Sequence, residues 1–204
     1  NLTINGGTLT GYSGVQFCGA GKLSITGGTI HSTGDYTAFP TKPEEQSDGS
    51  MYDGAAISLV SRPGYHSDGE TIEVSITGGT LISDNNAAIA SYRYSRQADD
   101  SWIANDESVE NILNTLDIED GAFIGGSEEK GVFEVDTAGA DAYNISGGSY
   151  SSPVDAKYLA DSINYELNSG DGYSYYPTIG EAIDAATEQG GVISSVGQDP
   201  AATT

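Results

Sequence analysis

The sequence predicts an all-β solenoid of stacked strand pairs followed by a small α+β segment, and three observations carry that prediction. A strand-like phrase ending in a glycine doublet keeps returning: Leu2-Thr-Ile-Asn-Gly-Gly-Thr-Leu9, Leu23-Ser-Ile-Thr-Gly-Gly-Thr-Ile30, Val74-Ser-Ile-Thr-Gly-Gly-Thr-Leu81 and Tyr143-Asn-Ile-Ser-Gly-Gly-Ser-Tyr150. A degenerate copy, Leu116-Asp-Ile-Glu-Asp-Gly-Ala-Phe123, joins them. A second strand signal lies between successive copies, at Gly14-Val-Gln-Phe17, Ala55-Ala-Ile-Ser-Leu59, Ala87-Ala-Ile-Ala-Ser-Tyr92 and Gly131-Val-Phe-Glu-Val135. The 28 glycines sit largely in the phrase while proline stays ordinary at six, so the glycine is patterned and not the composition of a flexible linker.

Each element follows from period and punctuation. Within a copy, apolar and polar residues alternate up to the glycines (Leu23, Ile25; Val74, Ile76; Leu116, Ile118), which is the period of a half-buried strand. The doublet then turns the chain, because glycine takes backbone angles denied to other residues. Ile4 and Ile25 lie 21 residues apart, the size of one turn in a stack of strands. One such coil cannot bury its inner face alone, so coils must stack. The stack is expected over residues 1–152 as about four to five coils, with insertions at 31–54, 61–72 and 93–113. A β-sandwich, which short strands and turns also suit, is the competing arrangement.

Past Ser152 the phrase stops. Pro153 to Ala160 reads as a short helix, Ile163–Asn168 and Gly172–Tyr176 as a hairpin, and Thr178 with Glu181 as a capping box opening an amphipathic helix that ends at Gly190-Gly191. Val192 to Val196 reads as a final strand. Residues 153–204 are thus expected to cap the stack or to begin a following module.

Thirty acidic residues against seven basic ones give a net charge of -23, which repels a phosphate backbone and argues against nucleic acid and anionic membranes as partners. No apolar run is long enough for a membrane span. The opening inside a repeat, without a charged-then-apolar leader, suggests a piece of a longer exported protein. Cys18 stands alone, so no intrachain disulfide forms, and its apolar setting reads as a small buried hydrophobe.

The Ile-Thr-Gly-Gly-Thr phrase and its spacing resemble the coils of the right-handed parallel β-helix of the pectate-lyase-like superfamily, in particular the repeats of large surface proteins of Gram-positive bacteria. The resemblance covers about three quarters of the chain and implies a secreted or cell-surface protein, with architecture specified and activity not. The superfamily includes polysaccharide lyases, which use calcium held by aspartates together with a basic residue, and hydrolases marked by Gly-His-Gly and Arg-Ile-Lys. Neither hydrolase tripeptide occurs, and no aspartate cluster recurs on successive strands. Asp99-Asp100 reads as solvated surface, and His31 and His66 as lone loop histidines. Asp84-Asn85-Asn86 offers oxygens to calcium but reads first as a turn. No cofactor is therefore expected, calcium being the one the resemblance brings into question.

What remains is aromatic: thirteen tyrosines, several near the only tryptophan. Tyr92, Arg93, Tyr94, Arg96 and Trp102 form the candidate ligand-binding set, because flat rings with polar neighbours suit sugar recognition and insertions on a rigid scaffold are where binding resides. The competing reading is that these rings pack the insertion onto the stack. The expectation is a non-catalytic adhesion or glycan-binding module whose partners are a glycan or a cell-surface protein and other modules of the same parent chain. A structural spacer and a carbohydrate-active enzyme are the alternatives.

Overall fold

The repeat phrases form one parallel sheet and the signals between them a second. In a computed structural model, residues 1–35, 53–96, 102–126, 131–136 and 143–196 are described. In chain order the strands are β1 (Leu2–Gly11), β2 (Val15–Cys18), β3 (Gly21–Ser32), β4 (Ile57–Ser61), β5 (Ile72–Ser83), β6 (Ile89–Arg96), β7 (Trp102–Ala104), β8 (Leu113–Ile124), β9 (Phe133–Glu134), β10 (Tyr143–Ile145), β11 (Ser149–Tyr150), β12 (Tyr165–Asn168), β13 (Tyr173–Tyr176) and β14 (Val192–Ser195). Helix α1 (Ile179–Gln189) precedes β14. The fold is all-β in class.

The larger sheet runs β1-β3-β5-β8, with β10 and β11 both pairing β8 in parallel. Its register places equivalent residues of the phrase side by side: Ile4, Ile25, Ile76, Ile118 and Ile145 form one ladder. Leu2, Leu23, Val74, Leu116 and Tyr143 form a second, and Leu9, Ile30, Leu81, Phe123 and Tyr150 a third. A one-residue slip would turn every one of these side chains to the opposite face, so burial enforces the register. In the smaller sheet β2, β4, β6 and β9 are parallel, aligning Val15, Ile57, Ile89 and Phe133. Leu23, Ile25, Ile57, Ile76, Ile89 and Ile118 belong to one apolar cluster, so both sheets face a common core.

In β1, β3 and β5 the glycine doublet sits inside a continuous strand and does not end it, whereas Gly147-Gly148 separates β10 from β11. The ladders continue on both sides of it, with register shifts between Ile25 and Thr26 and between Thr26 and Thr29. Gly7, Gly28 and Gly79 take φ of 83, 94 and 99°, the left-handed region that suits glycine. At Gly28 an added Cβ would lie 2.9 Å from the backbone carbon of Gly6 and 3.0 Å from Gly7 O, whereas at Gly7 it would meet nothing. At Gly28 glycine is thus required twice over inside the sheet, once by dihedral angle and once by the neighbouring strand.

Toward its C-terminal side the core turns aromatic. Phe123 and Tyr150 stack at 5.1 Å between centroids, and Phe133 and Tyr175 meet Tyr150 edge-on at 5.7 Å. Tyr143, Tyr150, Tyr158 and Tyr175 are all buried, with their hydroxyls hydrogen-bonded to Asp136 O, Gly147 O, Val135 O and the Glu166 carboxylate respectively. Much of the tyrosine excess is therefore interior packing and not a sugar-binding surface. Each such ring brings a large apolar area and a hydroxyl that finds a carbonyl at the rim of the core.

Downstream, β13 pairs antiparallel with β11, and β12 with both β13 and β14, so the hairpin extends the same sheet. The short helix expected from Pro153 is a single 3-10 turn, Ala156–Tyr158, capped by the Asp155 side chain. Helix α1 carries the expected capping box: Thr178 accepts from the Glu181 amide while Glu181 reaches back to the Thr178 amide. A difference lies at 93–113, expected to be an insertion. Its first residues prolong β6 to Arg96, and β7 folds back antiparallel on it, because alternating Tyr and Arg suit a strand. Most of the 31–54 insertion, residues 36–52, lies outside the described residues.

Substituting Gly7 by alanine is expected to cost only the backbone term, about 1–2 kcal/mol. Gly28→Ala should cost more, since the Gly6 backbone must also shift; denaturant unfolding of the two variants measures the order.

Candidate functional site

A strand alternates its side chains between two faces, and that simple fact divides the candidate set. Tyr92 and Tyr94 fall on the face opposite Ile89, in a second apolar cluster with Ala55, Val60 and Ala90, against which Cys18 packs. They are 6% and 0% exposed, so neither ring offers a platform to a sugar. Arg93 is on the Ile89 side, where its Nε lies 2.6 Å from the Asp136 carboxylate. Arg96 and Trp102 face each other as backbone partners across β6 and β7, and their side chains lie outside the described residues. Asp99 and Asp100 lie outside them as well. The five residues do not converge on one surface: two are core, one is ion-paired, and two sit at a strand end.

Two polar nodes flank this strand. Around Arg93, the Asp136 amide donates to Ser91 Oγ at 2.7 Å, and Asp136 O accepts from the Tyr143 hydroxyl and from Asn111 Nδ2. Arg93 O in turn accepts from the Asp106 amide at 3.0 Å, and Asp106 takes hydrogen bonds from Ser95 and Ser108. Asn111 and Ser61 complete the corner by accepting from the Leu113 and Ile112 amides. These contacts anchor the turn from β7 into β8. Burial, then the neighbouring Tyr158 and Asp136, push the Tyr143 hydroxyl up from its ordinary pKa.

The second node centres on Asp53, a carboxyl group 2% exposed. Its oxygens accept from the Ala55 amide at 3.2 Å, Ser13 Oγ at 3.5 Å and Ser58 Oγ at 2.7 Å. Asn86 Nδ2 donates to Asp53 O at 2.6 Å, while Ser83 Oγ donates to Gly54 O and accepts from the Asn86 amide, both at 2.8 Å. Burial raises the pKa of Asp53 above the usual carboxylate range despite these hydrogen bonds, and burial followed by the charge of Asp53 raises that of Tyr92. A carboxyl group and a phenol so enclosed cannot meet a polymer substrate. The node fastens the entry to β4 against the entry to β6.

Asp84-Asn85-Asn86, read first as a turn, is used in the same way. Asp84 Oδ1 is 2.8 Å from His31 Nε2, Asn85 Nδ2 donates to Gly34 O at 3.0 Å, and Asn86 Oδ1 accepts from the Ala87 amide at 2.8 Å. His31 lies in strand β3 and not in a loop. Among the described residues no three His, Cys, Asp or Glu side chains are grouped to hold a metal ion. A cleft of about 410 Å³ opens beside Leu159, Asp161, Ile163 and Asn164, and a smaller one of about 130 Å³ beside Phe133, Asp155 and Lys157. The Asp155 carboxyl is held below its usual range, chiefly by the Lys157 amide. In the smaller cleft Lys157 Nζ lies 3.3 Å from the Asp155 carboxylate, at the surface.

The polar nodes were missed by sequence reasoning, although a signal exists. Asp53-Gly54-Ala55-Ala56-Ile57 and Asn85-Asn86-Ala87-Ala88-Ile89 share an Asx two residues before Ala-Ala-Ile, the same corner in successive rungs. Compared with known proteins, the chain matches no family model, no curated protein and no solved structure.

Tyr94→Ala is expected to destabilise the fold by about 3–5 kcal/mol in denaturant unfolding, the cost of emptying a buried aromatic site. Asp53 supplies a pH test. Its folded pKa is raised, so its contribution to stability is greatest below the ordinary carboxylate value and falls as pH rises through the folded one. Wild type should therefore lose stability relative to Asp53→Asn between about pH 4 and neutrality. Unfolding curves at the two pH values read this directly, and a pH-independent gap would contradict it.

Proposed function

We propose that this chain is a non-catalytic module of a secreted or cell-surface protein, built as a right-handed parallel β-helix of the pectate-lyase-like kind, which displays its loops to a glycan or to a cell-surface protein. The observation that carries the β-helix reading is the alternation along the chain of strands in two parallel sheets, each returning to the same register through the Ile4 to Ile145 ladder. In this reading residues 1–152 are the coils. Residues 153–196 close the C-terminal side, with the hairpin extending one sheet and α1 packed beside it, as strand edges and apolar ends of a stack require.

Catalysis gets no support from the site. The carboxyl group with the raised pKa is sealed in the interior, and Arg93 is bound to Asp136. The net charge of -23 fits an exposed, well-solvated protein that avoids nucleic acid, and among the described residues no helix is long and apolar enough to cross a membrane. A spacer role is the second reading. It is favoured by the burial of Tyr92 and Tyr94, which turns two of the five candidate ligand residues into packing.

A glycan panel with host mucin glycans and plant pectins, run with calcium and with chelator and checked for chain cleavage, separates these readings. Binding without cleavage, lost in Trp102→Ala but retained in a fold-preserving surface control, is the expected result. Cleavage would overturn the non-catalytic reading, and silence across the panel would favour the spacer.

A further inference from the structure

The tyrosines that pack the core are buried, whereas Tyr65, between β4 and β5, is 52% exposed. Its exposure is built into the chain. Arg62-Pro63-Gly64-Tyr65 is a turn closed by the Tyr65 amide, which donates to Arg62 O at 3.2 Å. Proline's fixed φ suits the second position and Gly64, at φ 85°, the third. Such a turn brings its first and fourth residues together, and the Arg62 guanidinium carbon lies 4.2 Å from the centre of the Tyr65 ring. A second turn follows at once: the Ser67 amide donates to the Glu70 carboxylate at 2.7 Å, and the Glu70 amide to Ser67 O at 3.1 Å. The Tyr65 backbone is also pressed against the end of β2, since a Cβ added at Gly19 would lie 2.4 Å from Tyr65 O. The backbone of Tyr65 is thus fixed while its ring, with Arg62 over one face, faces solvent. Strands β4 and β6 run parallel with Ser61 beside Arg93. The loop therefore leaves the smaller sheet at the end from which β6 runs on to Arg96, the backbone partner of Trp102.

We propose that Tyr65 and Arg62 are a sugar-contacting pair on the same glycan surface as Trp102, with a neutral pyranose as the ligand. This rests on the glycan-binding reading and gives it a place and a ligand chemistry. The open face of Tyr65 takes the C–H face of the pyranose, and the planar guanidinium stacked behind it presents N–H donors along its edge to the sugar hydroxyls. A tyrosine has two side-chain torsions, so it offers a large contact area at low entropic cost. Asp68 and Glu70 share this short loop with Arg62, and the whole chain carries -23. A carboxylated sugar would meet repulsion that one arginine does not offset, and a neutral ring would not.

Binding of the 204-residue chain to immobilised mucin glycans, to the same glycans after desialylation, to polygalacturonate and to mucin polypeptide stripped of glycan tests the proposal. The expected result is binding to the desialylated glycans and none to polygalacturonate or to the stripped polypeptide. Tyr65→Ala should weaken it at least about tenfold and Tyr65→Phe less than about threefold, because the ring and not the hydroxyl makes the contact. Arg62→Lys, which keeps the charge but loses the planar fork, should weaken it as well, with circular dichroism confirming the fold of each variant. Wild-type affinity in Tyr65→Ala, with binding lost in Trp102→Ala, overturns this inference and leaves the glycan reading standing. Preference for polygalacturonate, or equal capture of the stripped polypeptide, overturns it too. Silence of the wild type on every probe removes the glycan reading and this inference with it.

Discussion

Everything in this molecule depends on the stacking of like on like along parallel strands. Ile4, Ile25, Ile76, Ile118 and Ile145 are one ladder because β1, β3, β5, β8 and β10 share a register. Each strand presents an apolar face it cannot bury alone and takes that burial from its neighbours in the sheet. Register, glycine placement and loop position all follow. The second glycine of the phrase recurs, at Gly7, Gly28, Gly79, Gly121 and Gly148, because the backbone takes positive φ at that place, and at Gly28 the preceding strand leaves no room for a Cβ. Variation is confined to the segments between strands.

Among the described residues, buried polar groups meet at the corners beside the strands, with Ser58 and Ser91 reaching them from β4 and β6. The corner before β4 meets the corner before β6 through Asp53, Ser83 and Asn86, and the outer end of β6 meets the turns on either side through Arg93, Ser91 and Asp136. Breaking such an enclosed network leaves a buried donor or acceptor without its partner. They also explain why a chain with so many carboxylates places so few inside: Asp53 is the acidic residue that stands out as buried among those described.

The strands of the parallel sheets were legible in the sequence because the repeat phrase fixes where apolar residues recur and where glycine interrupts them. The anchors read from the phrase are the residues that form the ladder. The C-terminal hairpin and α1 were legible for a different reason, since a Ser-Gly-Asp turn and a Thr-x-x-Glu box act locally. The faces on which the candidate ligand residues lie were not legible. Tyr92, Arg93 and Tyr94 are adjacent in sequence, and adjacency suggested one surface, but in a strand it means opposite faces. Counting tyrosines misled in a similar way, because Tyr143, Tyr150, Tyr158 and Tyr175 serve the core through long-range contacts that composition does not reveal. The polar nodes depend on pairs such as Asp53 with Asn86, 33 residues apart, which local patterns do not join.

The in-register ladder is tested most directly by spin-label distances measured outward from Thr3, with Cys18 replaced by serine. Labels at Ser75, Asp117 and Asn144 occupy the equivalent outward position two, three and four strands away. The ladder predicts separations that rise by one strand spacing, about 4.8 Å, at each step, reaching about 19 Å at Asn144. Separations that fail to increase in that order would contradict the stacked parallel register and favour a sandwich of antiparallel strands.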